Sequence, residues 1–197
     1  PSSMKVSACR NEWESVQVIA SGKAAQLARC SFSLSQPRQD DGTLLPEPRI
    51  LWEYDVPVKK SSPEAPLEAG LFPDALIPFE NGGKPNLRAF RGLLDEVNFR
   101  LWIDFKVPVG QKPGVYHCQC TTSDTSSESI LGVVELVIVV QSETLPMKPS
   151  LRSSFGINER RVARVHGLDR EKDGLKLSRV MERYYQVMQD NRIEPNM

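Results

Sequence analysis

The stretch Phe99-Arg100-Leu101-Trp102-Ile103-Asp104-Phe105-Lys106-Val107 decides the fold class. Apolar residues take every second position and charged residues fill the gaps except at Trp102, which is the pattern of a strand with one buried face. The same period recurs on both sides of it. Val16, Val18 and Ala20 alternate with Ser15, Gln17 and Ser21, while Ile50, Trp52, Tyr54, Val56 and Val58 alternate with Glu53, Asp55 and Pro57. Gly114 to Thr121 follows Lys112-Pro113-Gly114, a turn signal in which Pro presets φ and Gly accepts a positive one. Ile130 to Val140 is apolar on both faces, which predicts a central strand. About seven strands without helical periodicity before Val140 predict an antiparallel β-sandwich.

Composition narrows the function classes. The chain has 197 residues, 40% of them hydrophobic, with Lys+Arg 25 against Asp+Glu 25, so it buries a core and offers no basic excess to a nucleic acid. The apolar run Ile130 to Val140 is broken by Gly132 and Glu135 and falls well short of the ~20 residues a membrane-spanning helix needs, so no membrane partner is expected. Pro1-Ser2-Ser3-Met4 carries neither an initiator Met nor a charged-then-apolar leader, from which a processed or excised chain is expected and no compartment is read.

Four cysteines are too few for a disulfide framework. Cys118 and Cys120 project from one face of a strand, a poor geometry for a bond, and Cys9 and Cys30 fall in opposite phases, so free thiols are expected. His117 lies on the face opposite Cys118 and Cys120, and the three cannot converge on one zinc ion. No metal or cofactor is expected.

Lys59 to Glu96 breaks the rhythm. It is rich in Pro and Gly yet carries Leu71, Phe72, Leu76, Ile77 and Phe79, so it is expected to cross a sheet face or edge as an ordered excursion. After Val140, Leu145-Pro146-Met147-Lys148-Pro149 reads as a stiff linker. Leu151 to Ile157 is a predicted strand, Asn158 to His166 a polar loop, and Gly174 to Asn191 a helix with an apolar stripe of Leu177, Val180, Met181, Tyr184, Val187 and Met188. Such a unit cannot bury that stripe alone and needs further βα units or the sandwich as its partner. The expected division is 1–144 sandwich, 145–150 linker and 151–197 the start of a second domain.

Several landmarks, in order, resemble a known family. Asn11-Glu12-Trp13-Glu14-Ser15-Val16-Gln17, Phe72-Pro73-Asp74-Ala75-Leu76-Ile77-Pro78, Leu101-Trp102-Ile103-Asp104-Phe105-Lys106-Val107-Pro108 and Lys112-Pro113-Gly114-Val115-Tyr116 are similar to the N-terminal β-sandwich of glycoside hydrolase family 123 and its relatives. Leu145-Pro146 and Leu151-Arg152-Ser153-Ser154-Phe155-Gly156 resemble that family's linker and the first strand of its (β/α)8 barrel. The resemblance implies a parent activity of β-N-acetylgalactosaminidase type, in which the substrate's 2-acetamido group is the nucleophile and an Asp-Glu pair on later barrel strands assists. It therefore assigns no catalytic residue here and implies an accessory, non-catalytic sandwich. The implied partners are the barrel, within one polypeptide, and carbohydrate through that barrel; an extracellular or periplasmic setting is favoured.

In a (β/α)8 barrel the loops after the strands face the active site, which makes Asn158 and Glu159 candidate sugar contacts, with Arg160, Arg161 and His166 beside them. Trp102, the aromatic on a polar strand face, is either a platform for a sugar ring or packing under the 59–96 excursion or the barrel. Glu12, Glu14, Asp74 and Asp104 are spread over different strands, sequence alone brings no two of them together, and they are expected to bind backbone amides or Arg partners. Two further readings stay open: a carbohydrate-binding module relying on Trp102 or Trp13, and an adhesion or interaction sandwich.

Overall fold

The computed structural model describes residues 2–64, 67–85, 96–148 and 153–196. Two compact units result, Pro1–Leu145 and Pro146–Met197.

The first unit is mainly β. Its strands are β1 (Ser2–Arg10), β2 (Glu12–Lys23), β3 (Cys30–Leu34), β4 (Arg49–Val58), β5 (Gly70–Pro78), β6 (Glu96–Val107), β7 (Gly114–Asp124) and β8 (Ile130–Thr144). They form two four-stranded sheets, ordered β1-β8-β7-β3 and β2-β6-β4-β5. All ladders are antiparallel except that β1 runs parallel to β8, Ser2 opposite Val134 and Ala8 opposite Val140. The first sheet is thus mixed, a correction to the antiparallel expectation, because side-chain alternation carries no information about strand direction. β8 does lie between two neighbours, but only Leu136, Ile138 and Val140 on one face are buried; Val133, Val137 and Val139 are half-buried.

One core joins the sheets. Ala8, Phe32, Tyr116 and Leu136 of the first meet Val16, Ile50, Leu101 and Ile103 of the second. Phe32 and Phe99 stand 5.0 Å apart and Phe79 and Phe99 5.6 Å, a trio that ties the sheets together. The passage from β1 to β2 is made by Asn11 alone, at φ 63, a left-handed conformation that Asn tolerates better than most residues. Its N–H donates to Val107 O at 2.8 Å and its side-chain amide to Leu145 O at 2.9 Å, so the change of sheet is anchored at both ends.

A one-turn helix, α1 (Ala24–Leu27), follows β2 and buries Ala24 and Leu27. The sequence pattern missed it because four residues show no period. The expected excursion is in part strand β5, paired antiparallel with β4 at the sheet edge. Of its apolar set only Phe79 packs on the core, while Leu71, Leu76 and Ile77 are exposed. Residues 65–66 and 86–95 of that excursion lie outside the described residues. Beyond β5, Asn81 clamps the β3 edge, its Oδ1 accepting from Leu34 N–H at 2.7 Å and its Nδ2 donating to Leu34 O at 2.8 Å.

The second unit holds β9 (Phe155–Gly156), α2 (Glu159–Val165), α3 (Gly174–Asp190) and β10 (Pro195–Asn196). β10 pairs with β9 in parallel, so the helices form a crossover between two parallel strands. The strand expected from Leu151 to Ile157 is two residues long here, and Leu151 and Arg152 lie outside the described residues. The polar loop expected from Asn158 to His166 is helix α2, whose polar sequence hides the two buried residues Val162 and Ala163. They meet Leu177 and Met181 of α3, while Leu175, Tyr184 and Val187 remain exposed. The apolar stripe is therefore only half covered within this unit.

Candidate functional site

Alternation on β6 sends Leu101, Ile103 and Phe105 into the core, and Arg100, Trp102, Asp104 and Lys106 to the outer face of the second sheet. Register then decides who meets whom. Trp102 sits opposite Gln17 of β2 and Leu51 of β4, Asp104 opposite Ser15 and Arg49, and Lys106 opposite Trp13.

Asp104 is the hub. It is 4% exposed, although on the outer face, and is held by four donor atoms from three residues. Ser15 Oγ and Trp102 Nε1 each donate to Oδ1 at 2.7 Å, and Arg49 donates to Oδ2 from Nε at 2.8 Å and from Nη2 at 2.5 Å. A carboxylate so deep is stable only because its lone pairs are filled and a guanidinium balances its charge. Glu53, 7% exposed, is held otherwise: Gln17 Nε2 lies 2.8 Å from both of its oxygens. Arg100 pairs with Asp55 at 2.9 Å. Trp13 has the Arg49 guanidinium 5.1 Å and the Lys106 ammonium 5.2 Å from its ring centroid, so cations occupy its π surface.

Trp102 therefore joins a polar lattice that sequence reasoning did not assemble. The signal was present in part, since Gln17, Glu53 and Asp104 are polar positions of alternating strands, but their meeting depends on which strands are neighbours. Among the four carboxylates considered together, Asp104 binds an Arg, and Glu12 Oε2 accepts from Cys9 N–H at 2.6 Å. Trp52 and Tyr54 follow core phase, Trp52 packing on the core 6.2 Å from Phe99.

In the second unit Asn158 is the N-cap of α2, its side chain accepting from Arg161 N–H at 3.0 Å. Glu159 opens the helix and pairs with Arg170 at 2.9 Å. These two residues flank a cleft of about 600 Å³ only through Glu159, which lines it with Arg170, Leu177, Met181 and Tyr185. His166 Nε2 lies 3.2 Å from Tyr184 Oη. Asn158 and Glu159 are thus neighbours occupied with helix capping and an ion pair, and Trp102 belongs to the other unit.

All four cysteines are free thiols, and burial pushes Cys118 up to about 12 and Cys120 up to about 11. Among the described residues no three His, Cys, Asp or Glu side chains converge as metal ligands, and no helix is long and apolar enough to cross a membrane.

No family model matches the sequence, and no curated protein matches it. Among solved structures, a family 123 glycoside hydrolase from Clostridium perfringens, described for glycolipid glycan hydrolysis, matches 97% of the chain with a TM-score of 0.78 and 18% identity. This chain has the fold of one part of that glycoside hydrolase. It spans 32% of the enzyme's length, about a third. A second match, the CupB6 tip adhesin from Pseudomonas aeruginosa, has a TM-score of 0.32 at 12% identity over 71% of this chain and 42% of that one, and supports no inference. At 18% identity the likeness to the glycoside hydrolase concerns the backbone, and no site residue of that enzyme is transferred to this chain.

Proposed function

We propose that the two-sheet unit is the non-catalytic N-terminal β-sandwich of a family 123-like glycoside hydrolase, and that residues 151–197 open its (β/α)8 barrel. The sandwich supports the barrel, and residues 145–150 link the two. The observation that carries this reading is that 97% of the chain matches one part of a solved family 123 glycoside hydrolase. The second unit supports it independently. A parallel strand pair joined by helices is the repeating element of a barrel, and its exposed Leu175, Tyr184 and Val187 are the surface that further βα units would cover.

On this reading the parent hydrolyses β-N-acetylgalactosaminides with the assistance of the substrate's acetamido group, while residues 1–197 bind structure and not chemistry. Asn158 and Glu159 then lie at the end of the first barrel strand, where their first task is to start α2.

Hydrogen exchange tests the organisation. In the 197-residue chain, amides of β6, β7 and β8 should be strongly protected while those of α3 exchange much faster, because half its apolar stripe is uncovered. In a form extended through the reading frame α3 should gain protection. Protection of α3 equal to that of β6 in the 197-residue chain would mean that the second unit is already complete, and the barrel reading would be lost.

A further inference from the structure

We propose that the outer face of the β2-β6-β4-β5 sheet binds an uncharged oligosaccharide, with one sugar ring stacked on the indole of Trp102. This site is separate from the barrel chemistry proposed above and does not depend on it.

The orientation of the indole is the first ground. Trp102 Nε1 donates to the carboxylate of Asp104, two residues along the same strand face, at 2.7 Å. Side chains two apart on a strand are separated by about 6.6–6.8 Å of backbone rise, so an indole that reaches its i+2 neighbour lies along the strand instead of standing away from the sheet. The hydrogen bond pins the N–H edge of the ring beside Asp104 and leaves the remainder of the indole as the surface a sugar would meet. Trp102 is half-buried, as such a ring should be. Asp104 is itself buried and tied to Ser15 and Arg49, so the platform is fixed before any ligand arrives, which lowers the ordering cost of binding.

The second ground is what surrounds the platform. Gln17, Glu53, Arg49 and Arg100 place amide, carboxylate and guanidinium groups on the same face. Arg49, whose side chain is 53% exposed, keeps guanidinium N–H donors for a hydroxyl beyond the two given to Asp104. Sugars present this combination in reverse, an apolar C–H face above and hydroxyls at the rim.

Charge selects the class. Arg49, Arg100 and Lys106 are matched by Asp104, Asp55 and Glu53, and Arg49 and Arg100 are already paired. A balanced face complements a neutral polyol and offers no advantage to a phosphate or sulfate. Trp13 does not provide a second platform, because Arg49 and Lys106 lie over its ring.

The chain has 3 tryptophans, so three indole N–H resonances report the site directly. Lactose and N,N′-diacetylchitobiose titrated into the 197-residue chain should move the Trp102 signal saturably and leave those of Trp52 and Trp13 nearly still. Trp102→Ala should weaken binding roughly tenfold or more, about the loss of one aromatic contact, while Trp102→Phe keeps part of it. Trp13→Ala should leave it intact. Absence of a saturable Trp102 shift with both sugars, a response confined to Trp13, or tighter binding of a sulfated disaccharide would each overturn the proposal. Hydrolysis plays no part in the readout, so its failure stays distinct from failure of the barrel reading.

Discussion

Replacing Asp104 with Ala removes one carboxylate and strands the donors of three residues at once. Ser15 Oγ and Trp102 Nε1 lose 2.7 Å hydrogen bonds to Oδ1, and Arg49 loses two to Oδ2, from Nε at 2.8 Å and from Nη2 at 2.5 Å. The three losses differ in weight. The Arg49 side chain is 53% exposed, so its guanidinium returns to water and the ion-pair contribution must be discounted for screening. Ser15 and Trp102 are partly buried and recover water less easily, at about 1 kcal/mol each. The total is about 2–3 kcal/mol, below the ~3–5 kcal/mol of a fully buried pair broken on one side. For a unit of this size that lowers Tm by roughly 6–12 °C. Urea unfolding followed by tryptophan fluorescence measures it, with Asp104→Asn as control: the amide oxygen still accepts from Ser15 and Trp102, so about half the loss should return. A change below about 0.5 kcal/mol for Asp104→Ala, the size of an ordinary surface substitution, would refute the reasoning that this lattice is a structural hub.

Other consequences follow from single contacts. Burial raises the Cys118 and Cys120 thiols to about 12 and about 11, whereas an unfolded thiol ionises near ~8.5. The native protein therefore holds protons that the unfolded chain gives up, so stability is full below about pH 8.5 and falls as pH rises toward 12; the urea midpoint should drop between about pH 8 and pH 10, and by less in Cys118→Ala. Neither thiol should react with iodoacetamide in the native state at neutral pH. Asn81→Ala should cost about 1–2 kcal/mol and speed exchange of the Leu34 amide, since both backbone groups of Leu34 lose their partner. Gly114→Ala should cost at least ~1 kcal/mol in a denaturant melt, because φ is +138° and the new Cβ would lie 2.3 Å from Gln39 Nε2. Asn158→Ala should reduce the helical circular dichroism of the second unit and cost about 0.5–2 kcal/mol, the value of an N-cap.

The alternation in Phe99 to Val107 determined which residues enter the core, and Phe99, Leu101, Ile103, Phe105 and Val107 are all buried. Strand order and direction were not legible, because period 2 is the same for parallel and antiparallel neighbours; hence the parallel β1–β8 ladder was unforeseen. Short helices escaped for a related reason. Ala24–Leu27 is a single turn, and Glu159–Val165 shows the solvent a run of Glu and Arg with only Val162 and Ala163 turned inward. Trp102 was legible as an anomaly on a polar face, but its tether to Asp104 and the arch from Gln17 to Glu53 depend on strands far apart in sequence. Asn158 and Glu159 read as loop donors by residue type. Their cap and ion pair needed the helix to be known first.

The central claim is that these residues frame a glycosidase without performing its chemistry. The most direct test is steady-state hydrolysis of a nitrophenyl N-acetyl-β-galactosaminide by the 197-residue chain and by a form extended through the reading frame. No turnover by the chain alone, with turnover by the extended form, is the predicted result. Hydrolysis by residues 1–197 alone would contradict the non-catalytic role, and an extended form inert on every hexosaminide would reduce the likeness to one of backbone only.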